Sequence, residues 1–183
     1  VLLFSLLLTP WLAFSQTRYE VPINSLERLP AAQYAAYSQL GINKFDNPDR
    51  VMLYLNSVGL DRMLNFCAAG VHWSYIILSN DSSFYNNTGV AQNYFAKAKK
   101  QGRKTAYIAK SGDLIVWRKI GSWEGHIELV LIALDNKKVL TIGFNTSNGN
   151  NRTGGGVHIR ERAIYGRMGN LEVMGLVGFY EKN

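Results

Sequence analysis

The chain has 183 residues, enough for one domain with its own core and too few to favour two. Hydrophobic residues make up 47% and charged residues 18%, which excludes a disordered chain. Lys and Arg number 20 against 13 Asp and Glu; the formal charge of +7 suits a polyanionic partner such as a cell wall or an anionic membrane surface.

The first residues, VLLFSLLLTPWLAFS, carry no charge and are mostly apolar. The run is shorter and more interrupted than the ~20 apolar residues of a membrane span. Ala13 and Ser15 stand at the −3 and −1 positions of a signal-peptidase site, so residues 1–15 read as part of a signal peptide cleaved before Gln16. An initiating Met and a basic n-region are then expected upstream. The competing reading is a buried N-terminal helix. The expected mature chain, 16–183, is a single exported domain in the periplasm, outside the cell or at the cell wall. No membrane span is expected after leader removal.

Residues 31–40, AAQYAAYSQL, are helical by composition and end at Gly41. Asn47-Pro48-Asp49 is a turn that starts a second helix, with Val51, Met52, Leu55 and Val58 at helical spacing and Gly59 as its stop. A third helix is expected from near Leu64 through Cys67 to about Ile77. A polar loop follows around Asn80 to Asn87. The segment 90–102, VAQNYFAKAKKQG, reads as a fourth helix. Its basic end, KAKKQGRK, reads as a solvated helix terminus. It lacks the interleaved aromatics of a nucleic-acid surface, and no nucleic-acid partner is expected. The period then changes to that of strands, at 113–118, 126–134, 138–145, 156–160 and 174–180. Asp135-Asn136-Lys137 is a hairpin turn candidate. Helices followed by an antiparallel sheet make an α+β pattern.

Cys67 is the only cysteine, so no internal disulfide can form. A lone Cys is a small buried hydrophobe, a link to another chain, or a nucleophile. A nucleophilic thiol needs help to ionise, and the start of a helix and a nearby imidazole both supply it. Cys67 lies near the start of an apolar helical run. Of the three histidines, His72 lies about 140° around that helix from Cys67 and reads as a packing or surface residue. His158 follows a glycine run with no acid or amide partner nearby. His126 opens an apolar strand directly after SWEG.

A third group should fix the tautomer of the imidazole. Positions 126 and 145 are equidistant from the Asp135-Asn136 turn, so a hairpin brings His126 and Asn145 to the same open end. Glu128 shares the strand face of His126, roughly 6–7 Å along. It can orient the imidazole, line a substrate groove or face solvent; groove or solvent is the favoured reading. Trp123, three residues before His126, is the groove candidate among the tryptophans, with Trp73 and Trp117 assigned to the core. Asp113 reads as a turn and strand-start residue. No clustered Cys/His set or H-E-x-x-H suggests a metal, and Gly154 to Gly156 make a poor phosphate cradle. No metal and no other cofactor is expected.

Five segments together resemble a known family. FCAAGVHW resembles the WCAAFV-type segment of CHAP-like peptidoglycan hydrolases, within the wider NlpC/P60 and CHAP group. SGDLIVWRK resembles their PGDIVVF strand, SWEGHIELVL their GWQGHVGFYV, and TIGFNTSNG their V-x-GGNQSN strand. FDNPDRVMLYLNSVGL resembles their NNPRILEYLKSVGL. The resemblance covers about residues 34–147, in the same order and with similar gaps.

The resemblance implies a papain-like fold, with the catalytic Cys67 at a helix N-terminus, His126 as its partner and Asn145 as the third polar residue. It implies cleavage of an amide bond in peptidoglycan, as an N-acetylmuramoyl-L-alanine amidase or a peptide endopeptidase, with Trp123 and Glu128 on the substrate side. Four positions depart from the family pattern. Phe66 stands where Trp is usual. Gly70 replaces a bulky Phe. Glu128 replaces a small residue. Gly143 stands where many members carry a Glu two positions before the Asn. Two other classes stay open: a non-catalytic cell-wall-binding module of the same fold, and a Cys-His acyltransferase. Peptidoglycan is the expected partner and a monomer the expected state.

Overall fold

Helix α1 (Ala31–Tyr37) buries Ala32, Gln33, Ala35 and Ala36. Small side chains let it lie close against the central helix, and the chain turns away at Gly41, whose φ of +84° favours glycine. The structure is a computed structural model that describes residues 31–77, 88–106, 108–135, 137–148 and 154–182, the side chains of 103–106 and 179–182 excepted. The leader expected at 1–15 and the polar loop expected around 80–87 lie outside the described residues.

Helix α2 (Pro48–Asn56) begins with proline in its first turn, where no amide donor is needed. It buries Val51, Tyr54 and Leu55, an i, i+3, i+4 stripe. Helix α3 (Cys67–Ile76) is buried along its length, from Cys67 to Tyr75, the pattern of a helix enclosed by the core. Helix α4 (Ala91–Lys100) turns Ala91, Tyr94 and Ala98 inward and carries Lys97, Lys99 and Lys100 in its last turn. Cations there suit the negative end of the helix dipole.

The strands are β1 (Arg103–Ala106), β2 (Leu114–Lys119), β3 (Gly125–Leu134), β4 (Lys138–Thr146), β5 (Gly156–Ala163), β6 (Arg167–Met168) and β7 (Leu171–Lys182). Six of them form an antiparallel, curled sheet in the order β1-β7-β2-β3-β4-β5, and the two-residue β6 pairs with β7. The four described helices pack on this sheet. The expected α+β layout therefore holds. The strands at 103–106 and 167–168 were not foreseen: one is short and basic, the other has two residues and depends on its pairing with β7.

Alternation in the strands divides two apolar clusters. Val116, Ile127, Leu129, Ile142 and Phe144 join the helices in the larger one, while Ile115, Trp117, Val130 and Val139 belong to a second. Trp73 and Trp117 are core residues, as expected, and Trp123 is 72% exposed.

The third helix starts later than expected, at Cys67 rather than near Leu64. Met63, Leu64 and Asn65 are exposed, and Phe66 has non-helical φ −118° and ψ 19°. Composition favours helix here, but a tether from β4 to Asn65 holds the approach segment. The consequence is that the sole thiol sits on the first helical residue.

Candidate active site

Three elements converge on Cys67. Tyr54 of α2 is the hub of an aromatic cluster, with ring centroids 6.0 Å from Phe66, 5.1 Å from Trp73 and 5.1 Å from Phe144. Burial pushes its phenol up to about 12 and keeps it neutral, donating to Gln39 Oε1 at 2.8 Å. Tyr94 of α4 donates to the carbonyl of Ala68 at 3.2 Å. Phe144 of β4 lies directly over Gly70, where an added Cβ would be 2.1 Å from its ring. The space left by a small residue at 70 is thus filled from the sheet. These contacts fix the first turns of α3.

The helix start has no side-chain cap from Phe66, while the Phe66 carbonyl accepts the first helical bond from Gly70 at 2.8 Å. The first amides of α3, Cys67 included, precede the intrahelical ladder and are donors for developing negative charge.

His126 enters from β3, 8% exposed, with its ring centroid 5.7 Å from that of Trp117 on the neighbouring strand. Its Nε2 lies 2.9 Å from Glu128 Oε1. Because that nitrogen faces a carboxylate, it carries the proton, and Nδ1 is the nitrogen left for the thiol. Burial alone would lower the imidazole, but hydrogen bonding to Cys67 and then to Glu128 outweighs it and lifts His126 to about 9. An imidazolium and a helix start are the two features that favour thiolate over thiol.

Glu128 lies neither in a groove nor in solvent. It is fully buried and bonds directly to the His126 imidazole. Four hydrogen bonds fill its acceptor sites. Oε1 accepts from His126 and from Arg162 Nη2 at 2.6 Å. Oε2 accepts from Arg162 Nε at 2.8 Å and from Thr141 Oγ1 at 2.6 Å. Burial would raise the carboxyl, but the Arg162 and His126 bonds hold it far below the usual carboxylate range.

Asn145, expected to hold the imidazole, does something else. The ladder pairs Val130 with Thr141 and Glu128 with Gly143, and continuing that register sets Asn145 opposite His126. At Asn145, however, the backbone turns left-handed, φ +52°, where the β4–β5 register also slips between Gly143 and Thr146. The side chain leaves the imidazole and donates from Nδ2 to Asn65 Oδ1 at 3.2 Å, while its own Oδ1 is buried with no partner. Its link is to the segment two residues before the thiol.

No model of a known protein family matches the chain, and no curated protein matches it either.

Trp123 stands exposed on the β2–β3 loop. With Gln92, Arg118, Ile120 and Ser122 it lines an open groove of about 600 Å³. Gln92 Nε2 donates to the carbonyls of Ser122 at 2.8 Å and Glu124 at 2.7 Å, which ties this loop to α4 beside the strand that carries His126. His72 is buried and places Nδ1 3.0 Å from Ser57 Oγ. Since Ser57 donates to the Tyr54 carbonyl at 2.6 Å, His72 is the donor in that pair and acts in packing. The Asp113 carboxylate accepts from the amide of Lys110 at 2.8 Å, a turn role as expected.

Sequence reasoning missed Arg162 and Thr141. Thr141 is one of many strand threonines. Arg162 lies two residues beyond the strand expected at 156–160, which in the structure runs on to Ala163. The one available signal was Glu128 itself, a carboxylate inside the apolar run HIELVLIAL that needs a cation if it is buried.

Proposed function

We propose that this protein is a papain-like cysteine amidohydrolase that cleaves an amide bond of peptidoglycan. The observation that carries the chemistry is the alignment of Cys67, on the first residue of a buried helix, with His126, whose far nitrogen is held by a buried carboxylate. The substrate class rests on the five-segment resemblance and on the charge of +7. An exported location, with peptidoglycan as partner, belongs to the same reading. Among the described residues no helix is long and apolar enough to cross a membrane.

The reaction is acyl transfer to water. The Cys67 thiolate attacks the amide carbonyl, and the oxyanion meets the Cys67 amide at the helix start. The imidazolium gives its Nδ1 proton to the leaving amine as the C–N bond breaks. Water then attacks the thioester. Nδ1 takes its proton, and the acid leaves as the thiolate returns. Glu128 keeps the Nε2 proton in place throughout and orients the ring. Trp123, exposed on the hairpin before His126, is the surface on which a sugar or peptide flank would rest.

Zymography in a peptidoglycan gel tests the reading: wild type clears the gel and Cys67→Ala does not. Equal clearing by both would remove Cys67 as nucleophile. Mass spectrometry of the released fragments names the bond. A new N-terminal alanine with intact glycan marks an amidase, and a cut within the stem or bridge marks an endopeptidase. Binding without release would favour the cell-wall module, and a strict need for an added amine or lipid acceptor would favour the acyltransferase.

A further inference from the structure

Glu128 is an unusual third member because it is wholly buried and doubly engaged by an arginine. A buried carboxylate with only an imidazole beside it would tend to take a proton, and would then no longer accept one from His126. Arg162 changes that. Its guanidinium spans both oxygens of Glu128, contacts Thr146 Oγ1 at 3.0 Å and lies 5.9 Å from the Trp117 ring centroid. The Arg162 side chain is itself only 14% exposed. A forked, planar cation fixes a carboxylate in orientation as well as in charge.

We propose that Arg162 is a positioning residue of the Cys67–His126 pair: by fixing Glu128 as a carboxylate in one orientation, it sets where the imidazole sits and keeps its proton on Nε2. Arg162 and His126 share Oε1, so the cation also limits how strongly the carboxylate holds the imidazolium. One charge therefore has two effects, keeping the acceptor ionised and tempering it. Thr141 takes the remaining site on Oε2 and leaves Glu128 no freedom to act as a base.

The groups around Glu128 define the titration. His126 shares its strand, and Cys67 of α3 reaches it through that ring. β5 brings Arg162, with His158 paired across from Gly143 and Arg160 beside it. β4 offers the neutral Thr141 and Gly143, and β2 offers Trp117. Of the two arginines, Arg162 is the one hydrogen-bonded to the carboxylate, beside the His126 imidazolium.

The role of Arg162 rests on the cysteine-hydrolase reading only through the Cys67–His126 pair, so its test uses no peptidoglycan. The readout is the rate of Cys67 alkylation by iodoacetamide against pH, in the full chain, for wild type, Arg162→Met, Arg162→Lys and Glu128→Gln. Arg162→Met should move the acid limb of the profile upward by about one pH unit or more, about a tenfold loss of rate on that limb. Arg162→Lys, which restores charge without the fork, should return the limb toward wild type while the plateau rate stays low. In a Glu128→Gln background, Arg162→Met should have no further effect. A wild-type profile for Arg162→Met, or an undiminished effect of Arg162→Met on Glu128→Gln, overturns the proposal. If Arg162→Met does not fold, Arg162→Lys decides: a wild-type plateau overturns the proposal and a lowered plateau with a preserved limb supports it. Failure to release peptidoglycan fragments would sink the substrate reading and leave this result standing.

Discussion

Glu128 and Gly143 face each other across β3 and β4, and the carboxylate lies in the space that a side chain at 143 would fill. A Cβ built on Gly143 would stand 2.5 Å from Oε1 and 2.8 Å from Cγ of Glu128. Gly143 is not among the described residues with positive φ, so space rather than backbone freedom requires glycine. Gly143→Ala is expected to push Glu128 off His126. Overpacking of this kind costs about 1–3 kcal/mol, and misplacing a group that orients the imidazole costs about 10²-fold in rate. Urea denaturation checks the first and the alkylation rate of Cys67 the second. A variant with full reactivity would show that the imidazole does not depend on the carboxylate.

A second close approach lies under the helix. Gly70 admits the Phe144 ring, and Ala at 70 would bring Cβ within 2.1 Å of it. Gly70→Ala should destabilise the protein by about 1–3 kcal/mol, the range for overpacked cores. Phe144→Leu alone should also destabilise by removing an aromatic contact with Tyr54. Combined, the two changes should be less costly than the sum, because the smaller side chain gives the new methyl room. Simple additivity in a double-mutant cycle would show that the two residues do not press on each other.

Both glycines show what the sequence could and could not reveal. The helices, the hairpin register and the meeting of Cys67 with His126 were legible because they depend on local period and on distance from a turn. The start of α3 was misplaced because Met63 and Leu64 are apolar yet exposed, held by the Asn145–Asn65 bond across 80 positions of sequence. Glu128 was assigned to groove or solvent because a lone carboxylate is rarely buried. Its partner, Arg162, lies 34 residues away, past the expected end of its strand at 160. The proposed family pattern has a small residue after the His and, in many members, Glu two before the Asn. Here the acid and the small residue stand on the opposite strands of the same cross-strand pair. The carboxylate thus reaches the imidazole from β3, an exchange visible only once Glu128 and Gly143 are known to be neighbours.

The pH dependence of His126 follows from its raised value. A group lifted from 6.5 to about 9 on folding adds stability that is fully present below pH 6.5 and is lost as pH rises through 9. His72 has the opposite sign: burial lowers it, so its contribution is present above 6.5 and is lost as pH falls. The difference in unfolding free energy between wild type and His126→Gln should therefore shrink between pH 6.5 and 9. The hydrolytic rate should fall on the alkaline side near pH 9, where the proton needed by the leaving amine is lost. Urea titrations across this range and a pH–rate profile check both, and an alkaline limb near 6.5 would mean that the imidazole is not held as an imidazolium.

Asn145 separates backbone from side chain. Its φ of +52° is a region that Asn tolerates, Gly prefers and Ala resists. Asn145→Ala should lose about 1–2 kcal/mol from the left-handed backbone, together with the bond to Asn65. Asn145→Gly relieves the backbone and loses the same bond, so it should match wild type in stability more closely than the Ala variant does. If the Asn65 tether holds the approach to Cys67, both variants should show the same reduced alkylation rate despite different stabilities. The carboxamide hydrogen-bonds to Asn65 rather than to the imidazole, so neither variant should move the alkaline limb set by His126. A shift of that limb would return Asn145 to the role of ring holder, and full reactivity in Asn145→Gly would make it a turn residue alone.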